Sequence, residues 1–158
     1  MADKKDSKAK IAVILGSKSD KEKLISGFDL LKEYGIPYSL DIISAHRAPD
    51  KLRSFCRGLE KKGIEVVIAC AGLSAALPGF VASYTELPVI GVPLDAGSLG
   101  GVESLLSIVE VPRGIGLVST GIGKKGFVNA VMFALKLLSS SHNEYRPVFQ
   151  RLVLKFKK

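Results

Sequence analysis

Two short polar segments concentrate the side chains that could do chemistry: Gly16-Ser-Lys-Ser-Asp20 and Ser44-Ala-His-Arg-Ala-Pro-Asp50. The first offers hydroxyls and a carboxylate. The second offers an imidazole, a guanidinium and another hydroxyl. His46 is the only histidine outside the C-terminal tail, and imidazole is the side chain suited to giving and taking a proton near neutrality. Arg47 can grip a phosphate or carboxylate through two parallel hydrogen bonds. Gly16 permits a tight turn, and the free amides of a helix start attract an anion such as phosphate, with Ser17 and Ser19 adding hydroxyl donors. Asp20 suits a ribose diol better than a phosphate. The set fits a small phosphorylated polyol and a proton transfer. The same residue types also serve structure: Ser19 or Asp20 can cap one helix, Pro49 and Asp50 can start the next, and His46 can be a satisfied structural histidine.

A third segment, Cys70-Ala-Gly-Leu-Ser-Ala-Ala-Leu-Pro-Gly79, carries almost no bulky polar side chains. Small residues such as Ala71, Gly72, Ala75 and Ala76 let the backbone approach a flat ligand closely, and Ser74 contributes one hydroxyl. Residues 95–101 make a second glycine-rich rim. Lys124 and Asn129 flank a later helix start, within reach of a ligand or a neighbouring subunit, although a solvated Lys124 is the simpler expectation. Cys56 and Cys70 have no metal-ligand spacing and are expected as reduced core thiols; Cys70, at a strand end, is also a candidate reactive thiol. No cluster of His, Cys, Asp and Glu has the spacing of a metal site.

These segments must be held by the elements around them, and the chain reads as repeated strand–loop–helix units. Ile11-Ala-Val-Ile-Leu15 is a short continuous apolar strand of the kind buried on both faces. Apolar residues at helical spacing predict a helix over 21–34, ended by Gly35-Ile-Pro37. Further strands are predicted at 38–43, 66–69, 88–92 and 116–119. Helices are predicted at 50–62, 78–84, 101–109 and 126–139. Strands alternating with helices imply a parallel sheet with right-handed crossovers, here a three-layer αβα sandwich of the flavodoxin-like kind. In such sheets the loops at the carboxyl ends of the strands meet, and ligands bind there. The expected organisation is a basic N-terminal tail at 1–10, one α/β domain at 11–140, and a C-terminal helix or basic tail at 141–158. Tyr145, Phe149, Leu152 and Phe156 form an apolar stripe in that last segment, which suggests packing between subunits.

The bulk numbers narrow the class. A 158-residue chain that is 47% hydrophobic supports one real core. Its net charge of +8 invites a nucleic-acid reading, but the charge sits at the ends. Residues 1–10 carry four Lys against two Asp, and residues 144–158 five basic side chains against Glu144, leaving only about +2 between. With no basic face interleaved with aromatics, nucleic-acid binding is not expected. No apolar run approaches the roughly 18 residues that cross a bilayer, and the first ten residues lack an apolar signal core, so a cytoplasmic protein with no membrane partner is expected.

Several ordered motifs make the chain recognisable. It resembles the catalytic-subunit family of phosphoribosylaminoimidazole carboxylase, which includes the N5-carboxyaminoimidazole ribonucleotide mutases of purine biosynthesis. The resemblance covers about residues 10–140. It rests on Gly16-Ser-Lys-Ser-Asp20, Ser44-Ala-His-Arg47, Ala71-Gly72, Leu77-Pro-Gly79, Pro88-Val-Ile-Gly-Val-Pro93, Gly101-Val-Glu-Ser-Leu105, Ser107-Ile-Val109 and Pro112-Arg-Gly-Ile115. The resemblance implies a cofactor-free carboxyl transfer on a ribonucleotide, with no metal and with carbon dioxide as the trapped intermediate. It implies His46 as the proton relay, Ser19 and Arg47 on the phosphate, Asp20 on the ribose hydroxyls, and Ser44 as a further polar contact. Gly16, Ser17, Ala45, Ala71, Gly72, Leu73, Ser74, Ala76 and Leu77 complete the expected substrate-binding set. It also implies a homo-octamer with sites at subunit contacts.

One motif departs. The mutase branch usually has His-Leu-Pro-Gly where this chain has Ala76-Leu-Pro-Gly79. The branch that carboxylates aminoimidazole ribonucleotide directly also lacks that histidine. That branch, however, usually shows Ser-Ala-His-Lys and Gly-Arg-Ser-Asn, against Arg47 and Gly72-Leu-Ser-Ala75 here. The mutase reaction giving 4-carboxy-5-aminoimidazole ribonucleotide is therefore the leading expectation. The alternatives are direct carboxylation with CO2, a related carboxylase acting on another mononucleotide, and a non-catalytic nucleotide-binding paralogue.

Overall fold

The structure, a computed structural model, describes residues 8–157; most of the N-terminal tail and Lys158 lie outside the described residues. Five parallel strands form one sheet in the order β2-β1-β3-β4-β5: β1 (Ile11–Leu15), β2 (Tyr38–Ile42), β3 (Val66–Gly72), β4 (Val89–Leu94) and β5 (Val118–Ser119). All five residues of β1 are buried, as its unbroken apolar run requires of a strand covered on both faces. Alternate side chains divide between two cores. Ile11, Val13, Leu15, Val66, Ile68, Ile90 and Val92 pack in the layer of α2 (Ile25–Glu33), α6 (Gly123–Ser141) and α7 (Arg146–Phe156). Ala12, Ile14, Val67, Ala69 and Val89 pack in the layer of α3 (Pro49–Arg57), α4 (Leu77–Tyr84) and α5 (Val102–Val109). The result is the expected three-layer flavodoxin-like sandwich.

The helix expected over 21–34 is two: α1 (Lys18–Lys23) and α2, separated at buried Leu24. Apolar spacing survives this one-residue slip, so periodicity alone reads through it. Gly35 ends α2 at φ 63, with the Ile36 N–H returning to the Leu31 carbonyl at 2.8 Å, a glycine-dependent stop. The helix over 50–62 also divides, into α3 and a 3-10 turn at Glu60–Lys62. β3 and β4 run two to three residues further than expected, carrying Gly72 and Leu94 to the carboxyl edge.

The C-terminal apolar stripe finds a partner in its own chain. Tyr145 and Leu152 are buried and Phe149 packs on the same core as α6, which leaves Phe156 half exposed. The expectation that this stripe waits for another subunit is corrected accordingly. At the amino edge of the sheet, Glu65 receives the Lys10 ammonium and lies 2.6 Å from His142 Nε2, linking the segment after α6 to the start of β1.

Burial raises the Glu65 carboxyl, but hydrogen bonds from Lys10 and His142 and their charges outweigh it and hold the group below its ordinary value. A depressed carboxyl stabilises the fold above its unfolded titration and loses that contribution as pH falls through the lower folded value. Glu65→Gln should therefore lower Tm above about pH 4.3 and converge on the unaltered protein below it, as thermal melts across pH would show. The side chain is about one-third exposed, so the gap should stay under ~1 kcal/mol.

Candidate active site

The chain leaves β1 toward β2 and leaves β3 toward β4, so the connections from these two neighbouring strands run in opposite directions along the sheet. That is the switch point at which parallel α/β sheets open a crevice. A cavity of about 530 Å³ occupies it. Its walls come from the segments after β1, β2 and β3, with one residue from the rim after β4. Every residue singled out from the sequence as catalytic or substrate-binding lines it: His46 with Gly16, Ser17, Ser19, Asp20, Ser44, Ala45, Arg47, Ala71, Gly72, Leu73, Ser74, Ala76 and Leu77.

Backbone bonds lock the three loops together. The Gly16 N–H donates to the Cys70 carbonyl at 3.1 Å, and the Ile43 N–H to the Leu15 carbonyl at 2.9 Å. In the first loop the Ser17 N–H donates to Asp20 Oδ2 at 2.9 Å, and the Ser17 and Ser19 hydroxyls lie 2.7 Å apart. The capping role of Asp20 is thus real, and the same buried side chain lines the cavity. Ser19 is exposed to it.

The second loop turns on Ser44. Its carbonyl accepts the Ala48 N–H at 3.0 Å and its hydroxyl oxygen accepts the Arg47 N–H at 3.3 Å. Pro49 then starts α3. Buried Ala45 pins the loop to the core, while His46 and Arg47 on the far side are exposed. Among the described residues no carboxylate pairs with Arg47, so its guanidinium is free for an anion.

The thiols fall out of the chemistry. Burial, with the Asp20 charge added, pushes Cys70 well above the ordinary thiol value, and burial takes Cys56 up to about 11. Neither forms the thiolate that a nucleophile needs. Among the described residues no three His, Cys, Asp or Glu side chains gather as a metal site.

Two lining residues escaped the sequence reading as site groups. Ala96 sits in the glycine-rich rim after β4. Lys23 lies one turn beyond Asp20, and three-residue spacing on a helix puts both on one face, a signal that was available. Its ammonium donates to the Asp95 carbonyl at 3.3 Å, at the cavity mouth. Lys124 and Asn129 stand apart. Lys124 lines a neighbouring depression with Lys23 and Asp95, and Asn129 donates to the Thr120 carbonyl at 3.4 Å.

Comparison with known proteins agrees with this architecture. A family profile described as AIR carboxylase matches residues 10–157. The N5-carboxyaminoimidazole ribonucleotide mutase of Pseudomonas aeruginosa is 44% identical over 143 residues, spanning 90% of this chain and 88% of its own. That of Saccharolobus solfataricus is 46% identical over 135 residues, spanning 85% and 84%. That of Escherichia coli is 42% identical over 136 residues, spanning 86% and 80%. The crystal structure of Treponema denticola PurE superposes with a TM-score of 0.77 at 25% identity, covering 92% of this chain and 89% of that one.

Proposed function

The chain belongs to the AIR carboxylase family, and from that premise we propose that it converts N5-carboxyaminoimidazole ribonucleotide to 4-carboxy-5-aminoimidazole ribonucleotide in purine biosynthesis. The observation that carries the reading is a single cavity in which a free guanidinium, serine hydroxyls and His46 converge at the β1/β3 edge. Arg47 and Ser19 hold the phosphate. Asp20 accepts from the ribose hydroxyls, and Ser44, whose oxygen already accepts a backbone N–H, keeps its own proton to donate.

The reaction then needs one proton carrier and confinement. The N–CO2 bond breaks, giving the free amine and CO2, and ring carbon 4 attacks the CO2. His46 gives a proton to the nitrogen as the CO2 leaves and regains one from carbon 4 after that carbon attacks, so the cycle balances without a cofactor. CO2 is small and weakly bound, and the alanine and glycine wall at 71, 72, 75 and 76 keeps it close to the ring. The reading carries with it a cytoplasmic location and a homo-octamer. Exposed Leu99, Val102, Leu106 and Val109 on and before α5 support self-association.

Ala76 favours one competing reading, direct carboxylation of aminoimidazole ribonucleotide. Incubating the purified protein with each imidazole ribonucleotide, with and without bicarbonate, separates the two. Turnover of the N-carboxylated nucleotide without added bicarbonate is the mutase result. Turnover of the free amine alone, at high bicarbonate, overturns it. In the mutase, Ala76→His should fold normally and raise kcat/KM about tenfold, a gain of ~1.4 kcal/mol from one hydrogen bond to the substrate carboxylate. An inactive but folded Ala76→His protein would mean that the pocket has been rebuilt around alanine.

A further inference from the structure

The wall formed by 72–76 holds a feature that carboxyl transfer does not account for. Leu73 sits at φ 56 and is the one non-glycine residue at positive φ among the described residues. There its Cβ crowds the backbone carbonyl, a strain glycine escapes. Burial offers no compensation, since Leu73 is 58% exposed. Two bonds wind the loop on itself, from the Ala75 N–H to the Leu73 carbonyl at 2.9 Å and from the Ala76 N–H to the Ser74 carbonyl at 2.5 Å. Both are local, and neither ties the loop to the rest of the fold.

The tie comes from α5. Ser104 is fully buried, and its Oγ lies 3.0 Å from the Leu73 carbonyl oxygen and 3.1 Å from that of Leu94. Leu94 ends β4 directly opposite Gly72. One hydroxyl proton, serving the two carbonyls in turn, therefore joins a helix, a strand end and the strained loop. The fit is close here: a Cβ on Gly72 would stand 2.4 Å from that of Ala96.

We infer that Ser104 is a positioning residue for the carboxyl-transfer reaction: by anchoring the Leu73 carbonyl it holds the strained turn that sets the Ser74–Ala76 wall across the cavity from His46 and Arg47. The inference rests on the proposed function only in the choice of reaction measured. Strain that persists in a native fold is over-determined by its surroundings and gathers at functional sites. Here the surrounding group is named, and it lies outside the cavity lining.

The test compares the unaltered protein with Ser104→Ala, Leu73→Gly and the double variant. Each is measured by kcat/KM, by amide hydrogen exchange at 73–77 without substrate, and by Tm. Ser104→Ala should lose about tenfold in kcat/KM and exchange its loop amides about tenfold faster. Leu73→Gly alone fixes the reference rate, because Leu73 lines the cavity and its truncation carries a loss of its own. The double variant should recover to within about threefold of Leu73→Gly, because glycine keeps a positive φ without an anchor. Rescue by glycine is the outcome that a merely structural serine does not produce. The inference is overturned if Ser104→Ala loses only Tm, or if adding Ser104→Ala to Leu73→Gly costs the same tenfold that it costs in the unaltered protein. Should the unaltered protein turn over no imidazole ribonucleotide, the functional reading fails, and the exchange data still decide the role of Ser104.

Discussion

His46→Asn removes turnover, with kcat falling about 10²–10⁴-fold, while nucleotide affinity stays within a few fold. Asparagine keeps a polar planar group at the same loop position but carries no exchangeable proton between substrate atoms. The loop itself should not move. Its shape comes from buried Ala45, the bonds that Ser44 makes to Arg47 and Ala48, and Pro49 at the start of α3, none of which involve the imidazole. No neighbour can take over the task. Cys70 is held protonated by burial, and Asp20 is taken up by the Ser17 N–H and, in the proposed complex, by the ribose hydroxyls. Single-turnover kinetics beside equilibrium binding of the nucleotide separate the two effects. Retained chemistry in that variant removes His46 from the mechanism.

What could be read from the residues alone was local chemistry plus topology. Short strand-forming runs end at Gly16 and Ser44, and a parallel sheet must bring those ends to one edge, so the cavity and most of its lining were legible. Contacts between segments far apart in the chain were not. Ser104 reaches a carbonyl 31 residues away, and nothing in Gly101-Val-Glu-Ser-Leu105 announces that partner. The positive φ of Leu73 was equally hidden, because leucine is a residue type that normally rejects it. The break at Leu24 hid for a different reason, as helical spacing of apolar residues continues across it. The C-terminal stripe showed that it needed a partner without showing that α6 of the same chain supplies one.

Phe127→Ala should cost about 3–5 kcal/mol, a large share of the roughly 5–15 kcal/mol that holds a domain of this kind folded. Phe127 is fully buried, and its ring lies 5.0 Å from that of Phe28 in a tilted pair. It also fills the space that Gly27 leaves, since a Cβ there would stand 2.2 Å from Phe127 Cδ1. One side chain thus joins α6 to α2 where backbone and ring meet at close range. Collapse around an alanine is hindered on two sides, because Gly27 has no side chain to swing in and Phe28 is held by its stack on Tyr38. Tm should drop by roughly 6–20 °C, and urea unfolding should shift its midpoint with unchanged slope. A loss below ~1 kcal/mol would show that this layer repacks freely. Well below the lowered Tm, kcat should match that of the unaltered protein, because none of the cavity's lining residues comes from α2 or α6. The pairing with His46→Asn is then complementary: one substitution removes chemistry at constant stability and the other removes stability at constant chemistry. That separation is the physical consequence of a fold that anchors one layer on Phe127 and builds its site on loops at the sheet edge.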